Sequence, residues 1–136
     1  MKEIYFALRE FWGGFENAVT GEAIPAFLEG EGVDGARSPY IVYEAADLGF
    51  GEEATLRARV YSRVVGRSGF VAPVLDVQEQ FRRRLRGGAV TFPTSRGGVV
   101  MRYVGTRVLP LSMDEARSGL VCGVMEYRLK SLEAGA

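Results

Sequence analysis

Between Ala54 and Val65 the chain reads ATLRARVYSRVV, an almost strict two-residue alternation. Leu56, Ala58, Val60 and Ser62 fall on one side of an extended backbone, and Thr55, Arg57, Arg59, Tyr61 and Arg63 on the other. A helix would scatter both sets around its circumference, whereas a strand with one face in a core and one face open keeps them apart. A strand this long needs partners along its length, so the chain must fold around a sheet. The first partner is read from SPYIVYE, Ser38 to Glu44, where a proline is followed by an unbroken run of aromatic and β-branched residues. Strands over 39–46 and 54–65, joined by the turn DLGFGEE at 47–53, predict a long β-hairpin.

The remaining elements follow from periodicity and breakers. Ile4, Leu8, Phe11, Trp12, Phe15 and Val19 recur at three- and four-residue steps and predict an amphipathic helix over 2–18, weakened at Gly13-Gly14. AIPAFL at 23–28 reads as a short edge strand, since proline lacks the N–H a central strand must donate. EGEGVDGAR is a loop by composition. A second helix is expected after a cap at Ser68 or Gly69, with Val71, Val74, Leu75, Phe81 and Leu85 on its apolar face and Gly87-Gly88 as its stop. Strands are expected at 89–93, 98–105, 107–111 and 120–130, the last with Val121, Gly123, Met125, Tyr127 and Leu129 on one face and Cys122, Val124, Glu126, Arg128 and Lys130 on the other. The sum is an α+β fold with a mainly antiparallel sheet, a long β-hairpin and two or three helices packed on one face. It forms one domain over 1–130, followed by a frayed tail at 131–136.

Composition narrows the chemistry. The 136 residues include no histidine, two lysines (Lys2 and Lys130) and one cysteine. Serine and cysteine triads and the common zinc sites are therefore excluded, and Cys122, flanked by Val121, Gly123 and Val124, reads as a buried structural thiol. RGG at 86–88 and RGGVV at 96–100 lack the lysine and the strand-loop-helix setting of a phosphate-binding loop. A carboxylate enzyme built on Glu44, Asp47, Glu52 or Glu53 would need a deep pocket lined by them; the expectation is no catalytic residue, no cofactor and no metal site. No apolar run approaches the roughly 20 residues that span a bilayer, and the N-terminus carries acids where a signal peptide has a plain apolar core. The expectation is a protein made in the cytoplasm, with no membrane contact.

Charge is unevenly distributed although the formal total is zero. Residues 1–56 hold three bases against eleven acids, a net of −8, and residues 57–136 hold fourteen against six, a net of +8. If these halves become opposite flanks of the subunit, copies attract head to tail, and a heterologous contact that closes makes a ring. Two arginine sets stand out. The ladder Arg57, Arg59 and Arg63, with Tyr61 in it, suits docking of a carboxylate-bearing partner, because the planar guanidinium pairs bidentately. Arg82, Arg83, Arg84 and Arg86 close the second helix; they complement its macrodipole and are also candidates for phosphate or partner contact.

The succession of an N-terminal helix, SPYIVYE, the arginine- and tyrosine-bearing return strand, VAPVLDVQEQFRRRL, RGGVVMRYVGTRVLPL and GLVCGVMEYRL resembles the tail terminator or tail-completion proteins of long-tailed bacteriophages and prophages. The resemblance, one of pattern and size over about residues 1–130, implies a virion structural protein and no enzyme. Such a protein assembles in the host bacterial cytoplasm as a ring, commonly of six copies, at the head-proximal end of the tail. It would bind itself, the tail tube protein and the head-tail connector proteins, and DNA would pass through the ring without specific recognition. On this reading Arg57, Arg59, Tyr61 and Arg63, with Leu48, Phe50, Glu52 and Glu53 at the hairpin tip, make the inter-subunit or tail-tube contacts. The alternatives are another neck or head-completion protein, or a sequence-nonspecific nucleic-acid-binding module using Arg82 to Arg86 and the ladder Arg57, Arg59 and Arg63 as phosphate contacts.

Overall fold

The computed structural model describes residues 2–33, 35–63, 72–95, 97–109 and 120–132. In chain order its elements are helix α1 (Lys2–Trp12), strands β1 (Ala26–Leu28), β2 (Tyr40–Tyr43) and β3 (Glu53–Arg63), helix α2 (Ala72–Arg84), a 3-10 turn (Arg86–Gly88), and strands β4 (Ala89–Thr94), β5 (Gly97–Val108) and β6 (Leu120–Ser131). The fold is α+β, and the six strands form one sheet in the order β1-β2-β3-β6-β5-β4, curled into a half-barrel. The sheet is mixed rather than antiparallel throughout, because β1 runs parallel to β2.

The predicted long hairpin is not what holds β3. The antiparallel register of β2 with β3 covers Tyr40–Tyr43, whereas all of β3, from Glu53 to Arg63, is paired with β6. The sequence neighbour is the minor partner because only the YIVY run is continuous strand. At Glu44 the N–H still donates to Arg57 O at 3.0 Å, but the Arg57 N–H is taken by the Glu44 side chain at 2.6 Å instead of a backbone carbonyl, and the β2 ladder ends there. β5 is one strand from Gly97 to Val108, not two, with a bulge between Tyr103 and Gly105 instead of a break at residue 106. β6 runs through Ser131, which is fully buried, and Leu132 N–H donates to Gly98 O at 2.7 Å, so these two residues belong to the sheet rather than to a tail.

Both helices lie on the concave face. α1 stops at Trp12, where Gly13 closes the last turn onto Arg9 O, so the predicted extension to residue 18 is cut at the glycine pair. The buried residues of α2 are Val74, Val77, Gln78 and Phe81, a three- and four-residue spacing that places Leu75 about 100° off the contact line and leaves it 49% exposed, against expectation. The expected cap at Ser68 or Gly69 lies outside the described residues, as does Val71. Between helices and sheet, Trp12 is fully buried and ring-stacked with Phe15, Phe81 and Tyr43 at 5.2, 5.6 and 6.2 Å, with Tyr127 tilted against it at 5.5 Å. One indole therefore joins α1, the loop after it, α2, β2 and β6. Tyr127 donates its hydroxyl to Glu44 O at 2.5 Å, and burial pushes its pKa far above the ordinary tyrosine value. Gly123 of β6 sits under α2, where a Cβ would fall 2.3 Å from Val74 Cγ1; its missing side chain is what lets the helix settle on the sheet.

Candidate functional site

The alternation of β3 is realised as read: Leu56, Ala58, Val60 and Ser62 are buried under α2, while Thr55, Arg57, Arg59 and Arg63 are exposed on the convex face and Tyr61 is partly covered. Register extends this face sideways. Val42 and Val124 flank Arg59, Tyr40 and Cys122 flank Tyr61, and Glu126 lies across from Arg57. Tyr40 stacks on Tyr61 with ring centroids 5.3 Å apart, and Phe27 meets Tyr40 edge-on at 6.4 Å. An aromatic row thus crosses β1, β2 and β3 beside the arginines. Burial, with Cys122 close by, raises the Tyr61 pKa, although the hydrogen bond with Arg59 opposes it. Arg57, Arg59 and Arg63 have no ion pair within 4.0 Å among the described residues, while Arg107 reaches Glu126 at 3.8 Å.

Two residues on this side of the sheet that the sequence reading did not count in the candidate site are Arg102 and Arg128. They stand directly opposite each other on β5 and β6, both exposed. Like charges so placed are destabilising. The signal was present in the alternation of GVVMRYVG and VCGVMEYRLK, but pairing two strands far apart in the chain requires the sheet order.

The predicted hairpin tip divides. Leu48 is 6% exposed and joins the core cluster, which removes it from any surface. Phe50 is 66% exposed, and Glu52 and Glu53 are exposed as well. This segment is not a projecting tip: Gly51 N–H donates to Ser131 O at 2.9 Å and Ser131 N–H to Glu52 O at 3.0 Å, tying it to the end of β6. Glu44, Asp47, Glu52 and Glu53 do not together line any described pocket; Glu44 borders a small cleft with Glu29, Val42, Arg57 and Arg59.

The second arginine set lies on the other side of the molecule, at the end of α2. Arg82 pairs with Glu79 at 2.5 Å and reaches Thr106 Oγ1 at 3.2 Å, and Arg83 is 4.0 Å from the same carboxylate. Arg84 turns back to donate to Gly14 O and lies 4.5 Å above the Phe15 ring. The predicted sites are therefore two separate surfaces and not one. No group of three or more acids or cysteines able to hold a metal ion occurs among the described residues, and no described helix is long and apolar enough to cross a membrane. The fold and its surfaces define a small α+β domain with a curled mixed sheet; no protein-family model matches the chain, and no curated protein matches it either.

Proposed function

We propose that this protein is a self-assembling structural subunit of a phage tail, a tail terminator whose ring caps the tail tube and joins it to the head connector. The observation that carries this reading is the convex face. Arg57, Arg59 and Arg63 stand exposed with no carboxylate within 4.0 Å of their guanidinium groups among the described residues, beside the row Phe27, Tyr40 and Tyr61 and a cleft that Glu29 and Glu44 border. Arginine and tyrosine are the residues most enriched in the buried centres of protein interfaces, and a cation left unpaired in the monomer is available to a partner's carboxylate.

Charge polarity supports the same reading. Sheet order puts β1, with Glu29 and Glu31 just after it, at one edge, and β5, with Arg102 and Arg107, toward the other. The separation is partial, since Glu3 on α1 accepts the Ser95 N–H next to β5 and Glu126 sits beside Arg107. Enough remains to favour head-to-tail over head-to-head contact between copies. The subunit assembles in the bacterial cytoplasm and resides at the head-proximal end of the tail.

Arg59→Glu tests the reading, because it reverses the central charge of the face without touching the core. Wild-type protein mixed with purified tail tubes should form a ring density at the tube end by electron microscopy; the variant should lose it while keeping the wild-type circular dichroism spectrum and melting temperature. Rings formed equally well by the variant at moderate salt would refute the assignment of this face.

A further inference from the structure

The end of α2 holds a feature the convex face does not explain. Of its four arginines, Arg82 is neutralised by Glu79 at 2.5 Å, and Arg83 has only the long 4.0 Å contact to that same carboxylate. Arg86 has no ion pair among the described residues. Arg84 is held in one place, its guanidinium donating to Gly14 O and lying over Phe15. Partial burial there lowers its pKa below the ordinary arginine value, although Glu16 nearby opposes the shift. A cation that loses hydration without a carboxylate in contact is costly unless something else compensates.

The glycine pair that breaks α1 makes this placement possible. A Cβ on Gly14 would fall 2.6 Å from Arg84 Nη1 and 3.3 Å from Nη2. The bare backbone is thus a seat for the guanidinium as well as a helix stop. Gln80 secures the same loop from α2, accepting the Glu16 N–H at 3.1 Å and donating to Glu16 O at 2.7 Å. Arg83, Arg84 and Arg86, with Gln80, Asn17 and Glu16, line an open concavity of about 590 Å³. Three guanidinium groups stand there against one carboxylate, a net of two positive charges.

We propose that this concavity is a phosphate-binding site. Three guanidinium forks around one space present more donors than a carboxylate's two oxygens can use, whereas a phosphate group offers three or four oxygens and up to two charges. Arg84 is the preorganised member, fixed by Gly14 and Phe15, and Arg83 and Arg86 close from solvent. Because the concavity is open, a phosphodiester on a nucleic-acid backbone reaches it as well as free phosphate does.

The test is a titration of the full chain, followed by NMR of the arginine Nε–H groups and by calorimetry. Inorganic phosphate is one probe, a twelve-nucleotide oligothymidylate at low salt the second, and poly-glutamate the control. Saturable shifts confined to Arg83, Arg84 and Arg86 support the site; displacement of phosphate by the oligonucleotide identifies the phosphodiester as its source, and lack of displacement identifies free phosphate. Arg83→Glu with Arg86→Glu, both exposed and outside the core, should weaken phosphate binding at least tenfold. Gly14→Ala, which changes no charge but unseats Arg84, should weaken it severalfold. Shifts spread equally over Arg59 and Arg63, tighter binding of poly-glutamate at the same arginines, or wild-type affinity in the double variant would overturn the proposal. These outcomes are independent of the convex-face reading, since the ring assay reports on Arg59 and the titration on Arg83, Arg84 and Arg86.

Discussion

Gly123 sets how closely α2 approaches the sheet, and replacing it by alanine tests whether that contact is as tight as its distances imply. The added methyl would lie 2.3 Å from Val74 Cγ1, 2.8 Å from Gln78 Nε2 and 3.2 Å from Val60 Cγ1. All three neighbours are buried. Real methyl contacts lie near 3.5–4.0 Å, so relieving the worst of these demands a movement of more than 1 Å, and the side chains that must move already fill a close-packed layer. Overpacking of this kind costs about 1–3 kcal/mol, while removing a glycine from a strand returns roughly 0.5–1 kcal/mol. The clash involves three residues on two elements, so the upper part of the range applies, and the net loss is about 2 kcal/mol. For a chain of this size that corresponds to a melting temperature lower by roughly 7 °C. Urea denaturation should show a lower midpoint with an unchanged slope. Val74→Ala in the same chain should recover part of the loss, because it removes the atom in the worst contact, and the double-mutant cycle should return a favourable coupling of about 1 kcal/mol. A Gly123→Ala protein as stable as wild type, or a cycle without coupling, would refute the claim that this glycine is the seat of the helix.

Two further outcomes follow from buried polar groups. Tyr127 is buried and its pKa is raised above the ordinary value of 10.0, so above pH 10 the unfolded chain gives up a proton that the folded chain keeps. Stability should hold below that pH and fall as pH rises beyond it, a loss reduced in Tyr127→Phe and measured by chemical denaturation across an alkaline series. Gln78 is buried and donates to Arg107 O at 2.8 Å and Val124 O at 3.2 Å; Gln78→Leu should cost about 1–2 kcal/mol in the same assay, and an unchanged midpoint would show those bonds to be dispensable.

What could be read from the chain, and what could not, divides by the range of the contact. The alternation of 54–65 placed the buried face of β3, and that of 120–130 placed Val121, Gly123, Met125, Tyr127 and Leu129 on the helix-bearing face of β6, because which face a strand buries is a local pattern. It did not foresee that Cys122 and Val124, on the other face, are buried as well. The hairpin failed because turn chemistry shows which strands are neighbours in sequence and says nothing about which partner wins more of the ladder; β6 shares eleven register pairs with β3. The parallel β1 is invisible locally, since AFL carries the same signal in either direction. Leu75 and Leu48 were misplaced for opposite reasons: one is an apolar residue off the contact line of a helix, the other an apolar loop residue that is buried in the core. Of the candidate sites, the arginine ladder was legible from its period. The seat of Arg84 was not, because it depends on a glycine seventy residues earlier in the chain.

A sheet of six strands has edges, and this one closes them in three different ways. On β1, Leu28 N–H points outward and is taken by the Glu31 side chain at 3.1 Å, while Glu31 N–H donates back to Leu28 O at 2.9 Å. On β4, alternation decides the matter. The bond from Leu132 N–H to Gly98 O aims the Gly98 backbone at β6, so Val99 and its register partner Phe92 face each other, and Pro93 presents its missing donor to the open side. Past Arg102, where β4 no longer covers β5, the bulge at Tyr103 to Gly105 twists the strand and Arg82 reaches over from α2 to Thr106. At Leu28 and at Pro93 these devices occupy or remove backbone groups that a neighbouring strand would need, so strand addition is disfavoured at those two places. On the proposed function, contact between copies is then left to side chains, and the convex band of arginines that have no ion pair among the described residues, beside the stacked Tyr40 and Tyr61, is the surface to test for it.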